Sequence, residues 1–175
     1  MAEFDVVDLP PADPIPEGEQ APDFTRPLVH AEFWEDVALS ELLEDRPVLL
    51  IFHPMAGAFP ATYIWQELEE RGWADEYDLT VVGCSISSPY EHSRFLDDRD
   101  ADYRIFSDPG NGVSETYGVV NDLDGMAGIE EARPAVFVID ADRTVRYAWA
   151  ADEWPEFPDY DEVEKAIAGL ASTEA

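Results

Sequence analysis

Residues Phe52 to Trp73 read FHPMAGAFPATYIWQELEERGW. An apolar strand ends at His53-Pro54, a loop containing Gly57 follows, and a helix begins. This is the layout of a redox active site. A thiol is expected where the loop meets the helix, and the stretch contains none. Thr62 is a hydroxyl in the right neighbourhood, but no base adjoins it in sequence to activate it. His53 is a candidate general base; the blander reading is a hydrogen-bonded structural histidine.

Cys84 is the sole cysteine. One cysteine excludes an intramolecular disulfide, a CxxC pair and a cysteine-rich zinc site. It lies in VVGCSI, where Val82, Cys84 and Ile86 share one strand face. In that company it reads as a small buried hydrophobe. His30, His53 and His92 are far apart and form neither HxxxH nor HxH spacing, so no metal and no cofactor are expected. Asp140, Asp142 and Asp152 lack metal-loop spacing and read as solvated. Trp34, Trp65, Trp73, Trp149 and Trp154 read as core or interface residues rather than a ligand box.

The elements that must position these residues follow from pattern and punctuation. Met1 to Gln20, with Pro10, Pro11, Pro14 and Pro16 among acids, reads as an extended, flexible arm. Ala21 to Leu28 reads as a short strand or turn, and Leu39 to Glu44 as a short helix ended by Arg46-Pro47. VLLIF, residues 48–52, is a continuous apolar run and so a strand buried on both faces. Thr62 to Glu76 reads as a helix with Ile64 and Leu68 on one face. LTVVGCSIS is a second buried strand, and Pro89 opens the helix PYEHSRFLDD. YRIFSD is a short strand, DPGNG a turn, and VSETYG a short helix closed by Gly118. AVFVID and TVRYAWA make a hairpin about a tight turn, and Tyr160 to Leu170 is the last helix. Buried strands alternating with helices predict one α/β domain over 21–170, with helices on both faces of a sheet that the hairpin makes mixed, and a tail over 171–175.

Hydrophobic residues make up 46% of the 175, which is a folding composition and not a disordered one. Forty acidic side chains face ten basic ones, for a formal net charge of −30, and Lys165 is the sole lysine. Repulsion on this scale strains a compact fold in dilute buffer. It is tolerable where salt shortens the screening length to about 3 Å at 1 M. The acids are spread along the chain, which points to a salt-rich cytoplasm. Such a surface disfavours nucleic acid and anionic membrane as partners. No signal peptide pattern is visible, and the longest apolar run is far too short to span a bilayer.

Several stretches resemble one family. GEQAPDFTRPL is similar to the N-terminal entry of the peroxiredoxins, thioredoxin-fold peroxidases of the alkyl hydroperoxide reductase and thiol-specific antioxidant type. VALSELLEDRPVLLIFHP resembles their helix-then-strand approach to the active site. LTVVGCSISSPYEHSRF resembles VxGxSxDSPxxHxxF, which puts His92 in the family pattern on a helix, as a structural residue. FSDPGNGVSETYGV and RPAVFVIDADRTVRYAW resemble two later segments. The matches run in family order from about Gly18 to Trp149.

The resemblance implies a thioredoxin-like fold, a homodimer and an antioxidant oxidoreductase; a binding role would make active redox proteins its partner. It also implies a proline, three residues, Thr or Ser, two residues, then a peroxidatic cysteine. Here the sequence departs. Counted from Pro54 without a gap, Ala58 stands at the hydroxyl position and Ala61 at the cysteine. With Met55 and Ala56 taken as an insertion, Pro60 and Tyr63 stand there instead. Neither alanine nor tyrosine has the reversible two-electron chemistry of a thiolate. Arg133 matches the family arginine that holds thiolate and peroxide; the blander reading is a surface ion pair or a hydrogen bonder at a strand start. The expectation is a degenerate pocket of Pro54, Phe59, Pro60, Ala61, Thr62, Tyr63 and Arg133, plugged by Phe59 and Pro60, with a binding or structural role. The alternative is an active enzyme that uses Cys84, or a thiol-free site of His53 and Arg133.

Overall fold

The computed structural model describes residues 7–121 and 127–173. A seven-stranded mixed sheet forms its centre. Its strands are β2 (Thr25–Val29), β3 (Trp34–Ala38), β4 (Val48–Phe52), β5 (Thr80–Ser85), β6 (Arg104–Ser107), β9 (Ala135–Ile139) and β10 (Val145–Ala150), in the spatial order β10-β9-β4-β5-β6-β2-β3. β4, β5 and β6 run parallel, and the flanking pairs are antiparallel. Small two-stranded pairs join β1 (Val7–Asp8) to β11 (Glu153–Trp154) and β7 (Val120–Asn121) to β8 (Glu131–Ala132).

The continuous apolar runs put alternate side chains into two cores. Leu50, Phe52, Val82, Cys84, Phe106 and Phe137 face one side, with helices α1 (Leu39–Leu43) and α5 (Gly112–Tyr117). Leu49, Ile51, Val81, Ile105, Val136 and Val138 face the other. There they meet α2 (Phe59–Arg71), α3 (Trp73–Glu76), α4 (Pro89–Asp98) and α6 (Tyr160–Thr173). Phe52 is fully buried among Tyr117 and Phe137. Truncating it to alanine removes about 3–5 kcal/mol. Among the described residues no helix is long and apolar enough to cross a membrane.

Two helix boundaries differ from the sequence reading. α2 begins at Phe59 rather than Thr62, because Pro60 fits the first turn, where its missing N–H costs nothing. It stops at Arg71 rather than Glu76, because Gly72 takes a left-handed conformation (φ 59°) and caps it. β3 is an additional strand that the sequence pattern does not predict. It lies at the sheet edge, its acids and Trp34 face outward, and Val37 is its one buried residue.

Residues 7–20, read as a flexible arm, run extended and are tied to the domain. Leu9 N–H donates to Asp152 O, Asp13 N–H to Gly118 O and Gly18 N–H to Val145 O. A Cβ at Gly118 would collide with the Asp13 carbonyl, so the glycine that closes α5 also admits this segment. Asp140, read as solvated, is instead 7% exposed. Its carboxylate accepts the Asp142 and Thr144 N–H groups and pairs with Arg146, which builds the turn between β9 and β10.

Candidate functional site

β4 and β5 are paired in parallel and end together, with Phe52 opposite Cys84. Beyond their C-terminal ends lie the 54–58 loop, α2 and the 86–88 loop. That edge of an open α/β sheet is where such folds place ligands. The structure therefore brings Pro54, Phe59, Pro60, Ala61, Thr62 and Tyr63 together at one corner. Pro60 and Ala61 are buried in the first turn of α2, Phe59 is half-buried and Tyr63 is exposed. Thr62 Oγ1 donates to Ala58 O at 3.4 Å, within its own helix. No side chain caps that helix start.

Three of the loop's backbone donors are engaged, Ala58 N–H by Met55 O. Met55 N–H donates to Glu131 Oε1 at 3.0 Å, and Ala56 N–H donates to Ser87 Oγ at 2.9 Å. These are the two residues taken as an insertion. Ser107 Oγ in turn donates to Ser87 O at 2.6 Å, which fixes the 86–88 loop to β6. Glu131 is buried. Sequence reading missed it because one acid among forty carries no signal. Its position two residues before Arg133, hence on the same side of an extended segment, was the available hint.

Arg133 is 2% exposed, so it is not a surface ion pair. Its guanidinium donates to Ala151 O at 2.9 Å and to Val120 O at 3.3 Å, and its N–H donates to Val119 O. It acts as the hydrogen bonder just ahead of β9 that the blander reading described. Burial lowers its pKa, and the nearby Asp152 charge raises it. Among the described residues its hydrogen bonds do not reach the 54–63 stretch; Glu131 makes that link instead.

His53 is fully buried between the loop and α2. Trp65 Nε1–H can only donate, so at 3.2 Å His53 Nε2 must accept. The ring proton is thereby assigned to Nδ1, which donates to Pro54 O at 2.7 Å. Burial lowers the His53 pKa to about 4, although the Pro54 carbonyl raises it. His92 packs 6.2 Å away, ring to ring, with Nε2 3.0 Å from Ser85 Oγ. Burial, and then the His53 ring, lowers its pKa to about 3, against the Ser85 hydrogen bond. Both rings are neutral near pH 7, and neither is exposed to a substrate.

Cys84 is 0% exposed and faces the core of Phe52, Phe106 and Tyr117. Ile64, Trp65 and Leu68 of α2 face the opposite core. The sheet separates the thiol from those three side chains. Burial pushes the thiol pKa up, and the Asp108 carboxylate adds to the rise. Among the described residues no cluster of three His, Cys, Asp or Glu side chains could hold a metal ion.

The corner is that of a thioredoxin-like α/β protein, with the helix and strands of a thiol site and no thiol. The chain belongs to the AhpC/TSA family, whose model matches residues 17–148. Among relatives, it is 28% identical over 139 residues to a chloroplastic 2-cysteine peroxiredoxin of Chattonella marina var. antiqua, covering 75% of this chain and 68% of that protein. It is 32% identical over 110 residues to a putative peroxiredoxin of Mycobacterium tuberculosis, MT1643, covering 61% and 69%. The match to a spinach chloroplastic 2-Cys peroxiredoxin spans 53% of that protein. Among solved structures, the peroxidoxin BcpB of Mycobacterium tuberculosis superposes with a TM-score of 0.70 at 29% identity, over 89% of this chain and 96% of that one. A thiol peroxidase from Chromobacterium violaceum gives 0.74 at 21% identity over 92% and 91%, a likeness of fold alone.

Proposed function

We propose that this peroxiredoxin-family chain has lost peroxidase chemistry and serves as a binding protein. The observation that carries the reading is the placement of Cys84. Peroxide reduction needs a thiolate to attack the O–O bond, so that an S–O bond forms as O–O breaks and a sulfenic acid results. The chain's one thiol is dry, disfavoured as thiolate, and across the sheet from α2. The loop that would cradle a peroxide spends Met55 and Ala56 N–H on Glu131 and Ser87. Phe59 and Pro60 occupy the turn where the nucleophile would stand, which gives a plugged pocket. The family likeness further suggests a homodimer of a single domain over 21–170 that contacts active redox proteins, and the net charge of −30 suggests a salt-rich cytoplasm.

The test is consumption of hydrogen peroxide in molar potassium chloride with dithiothreitol as reductant. The wild-type chain should consume no more than the Cys84→Ala variant or the buffer. Turnover that Cys84→Ala abolishes would make the chain a thiol peroxidase and overturn the reading. Turnover that survives Cys84→Ala would overturn it in favour of a thiol-free enzyme.

A further inference from the structure

Tyr63, Gln66, Glu67 and Glu70 recur at i, i+3, i+4 and i+7, so they form one stripe along α2. It is the outer stripe, because Ile64, Trp65 and Leu68 hold the buried face. Phe157 and Tyr160, where the chain enters α6, stand opposite it. Together the six residues line an open groove of about 460 Å³. The Tyr63 ring is 52% exposed and lies 6.0 Å from Phe157, edge to face. Phe59 and Trp154 continue this aromatic ridge back to the degenerate corner.

We propose that this groove receives a basic segment of another protein, with an arginine or lysine seated against Tyr63 and Phe157 beside Glu70. The proposal rests on the binding reading given above and names its partner's chemistry. Aromatic faces attract cations, and a carboxylate beside the ring adds its own charge attraction. The molecule already shows this arrangement at one end of the groove. The Arg71 guanidinium lies 5.4 Å from the Tyr160 ring centroid and 2.7 Å from Glu67 Oε1. Glu70, one turn along, is exposed and makes no ion pair among the described residues. A cation from outside fits that place. The homodimer proposed above would pair through another face, because a second copy brings to Glu67 and Glu70 a surface with forty acids and ten bases. Acidic surface elsewhere attracts cations only at long range. The aromatic wall distinguishes the groove, by adding contacts that survive in salt.

The experiment is a fluorescence-anisotropy titration of the full chain in molar potassium chloride, where screening falls to about 3 Å. The probe is a labelled, amidated peptide of alternating arginine and leucine. The control peptide carries glutamate for arginine. Saturable one-to-one binding of the basic peptide alone is expected, with Tyr63→Ala and Glu70→Gln each weakening it by about five-fold or more. Both side chains are exposed, so both variants should keep the wild-type circular dichroism and melt. Tyr90→Ala, which removes an exposed ring outside the groove, should bind as wild type. Binding that does not saturate, or that is equal in all variants, would reduce the effect to general attraction and overturn the proposal. A concentration-dependent dimer that Tyr63→Ala dissociates would overturn it too, by showing that a second copy covers the groove. Absence of peptide binding defeats the groove alone; the peroxide assay is read separately.

Discussion

The indole N–H of Trp65 donates to Nε2 of His53 at 3.2 Å, and Gly83 on the neighbouring strand leaves the space in which the two rings meet. A Cβ at Gly83 would stand 2.6 Å from Trp65 Cζ2 and 2.9 Å from His53 Nε2. Gly83→Ala should therefore cost about 1–3 kcal/mol by overpacking. Urea unfolding at pH 7 checks this. A variant as stable as wild type would show that the pair can move apart freely.

His53 and the neighbouring His92 set an acid limit. His53 titrates near 4 and His92 near 3 in the folded chain, against about 6.5 when unfolded. Between those values the unfolded chain binds protons that the folded chain refuses, so stability falls with falling pH. Their contribution is intact above about pH 6.5 and is lost progressively down to about pH 4 for His53 and pH 3 for His92. A tenfold weaker hold on a proton corresponds to about 1.4 kcal/mol. Histidine ring resonances followed by NMR should show both rings neutral at pH 6. Midpoints near 6.5 would contradict the burial.

Glu164 on α6 collects three donors, from the end of α2, from α3 and from the residue that follows α3. Trp73 Nε1 donates to Oε1 at 3.0 Å, the Tyr77 hydroxyl donates to Oε2 at 3.0 Å, and Arg71 Nη1 approaches Oε1 at 3.5 Å. Glu164→Ala should cost about 1–3 kcal/mol, because the carboxylate's hydrogen bonds are charge-assisted and the Trp73 indole is buried. Glu164→Gln should cost less, since its amide oxygen still accepts. Thermal melts of the two variants decide; equal costs would assign the effect to charge alone.

Much of this fold was legible in the sequence. VLLIF and AVFVI are short, continuous apolar runs rich in β-branched and aromatic residues, the pattern of a strand buried on both faces. Cys84 could be placed in the core from its strand neighbour Val82, because alternation fixes which face a residue takes, whereas Ile86, read on the same strand face, lies past the end of β5 and is half-buried. β3 was not legible: WEDVA, at a sheet edge, has one buried side chain and no pattern to read. The break at Gly72 was hidden because helical residues continue on both sides of it. Glu131, Ser87 and the partners of Arg133 were illegible for another reason. They are contacts between segments distant in sequence, and no local period records them.

Salt should raise stability. At a net charge of −30, self-repulsion in dilute buffer opposes the compact state, and screening relieves it. Thermal midpoints should climb from dilute buffer into the molar range of potassium chloride. A flat series would mean that the ten basic residues pair the acids well enough on their own.

Whether the chain's one thiol takes part in peroxide chemistry is tested most directly by intact-mass analysis after a peroxide pulse. The folded protein in molar salt is exposed briefly to stoichiometric hydrogen peroxide, quenched, unfolded and alkylated. Cys84 should be recovered as the alkylated thiol without added oxygen, and the native protein should resist alkylation until it is unfolded. Rapid gain of one oxygen on Cys84, trapped as a sulfenic acid, would contradict an inert, buried thiol.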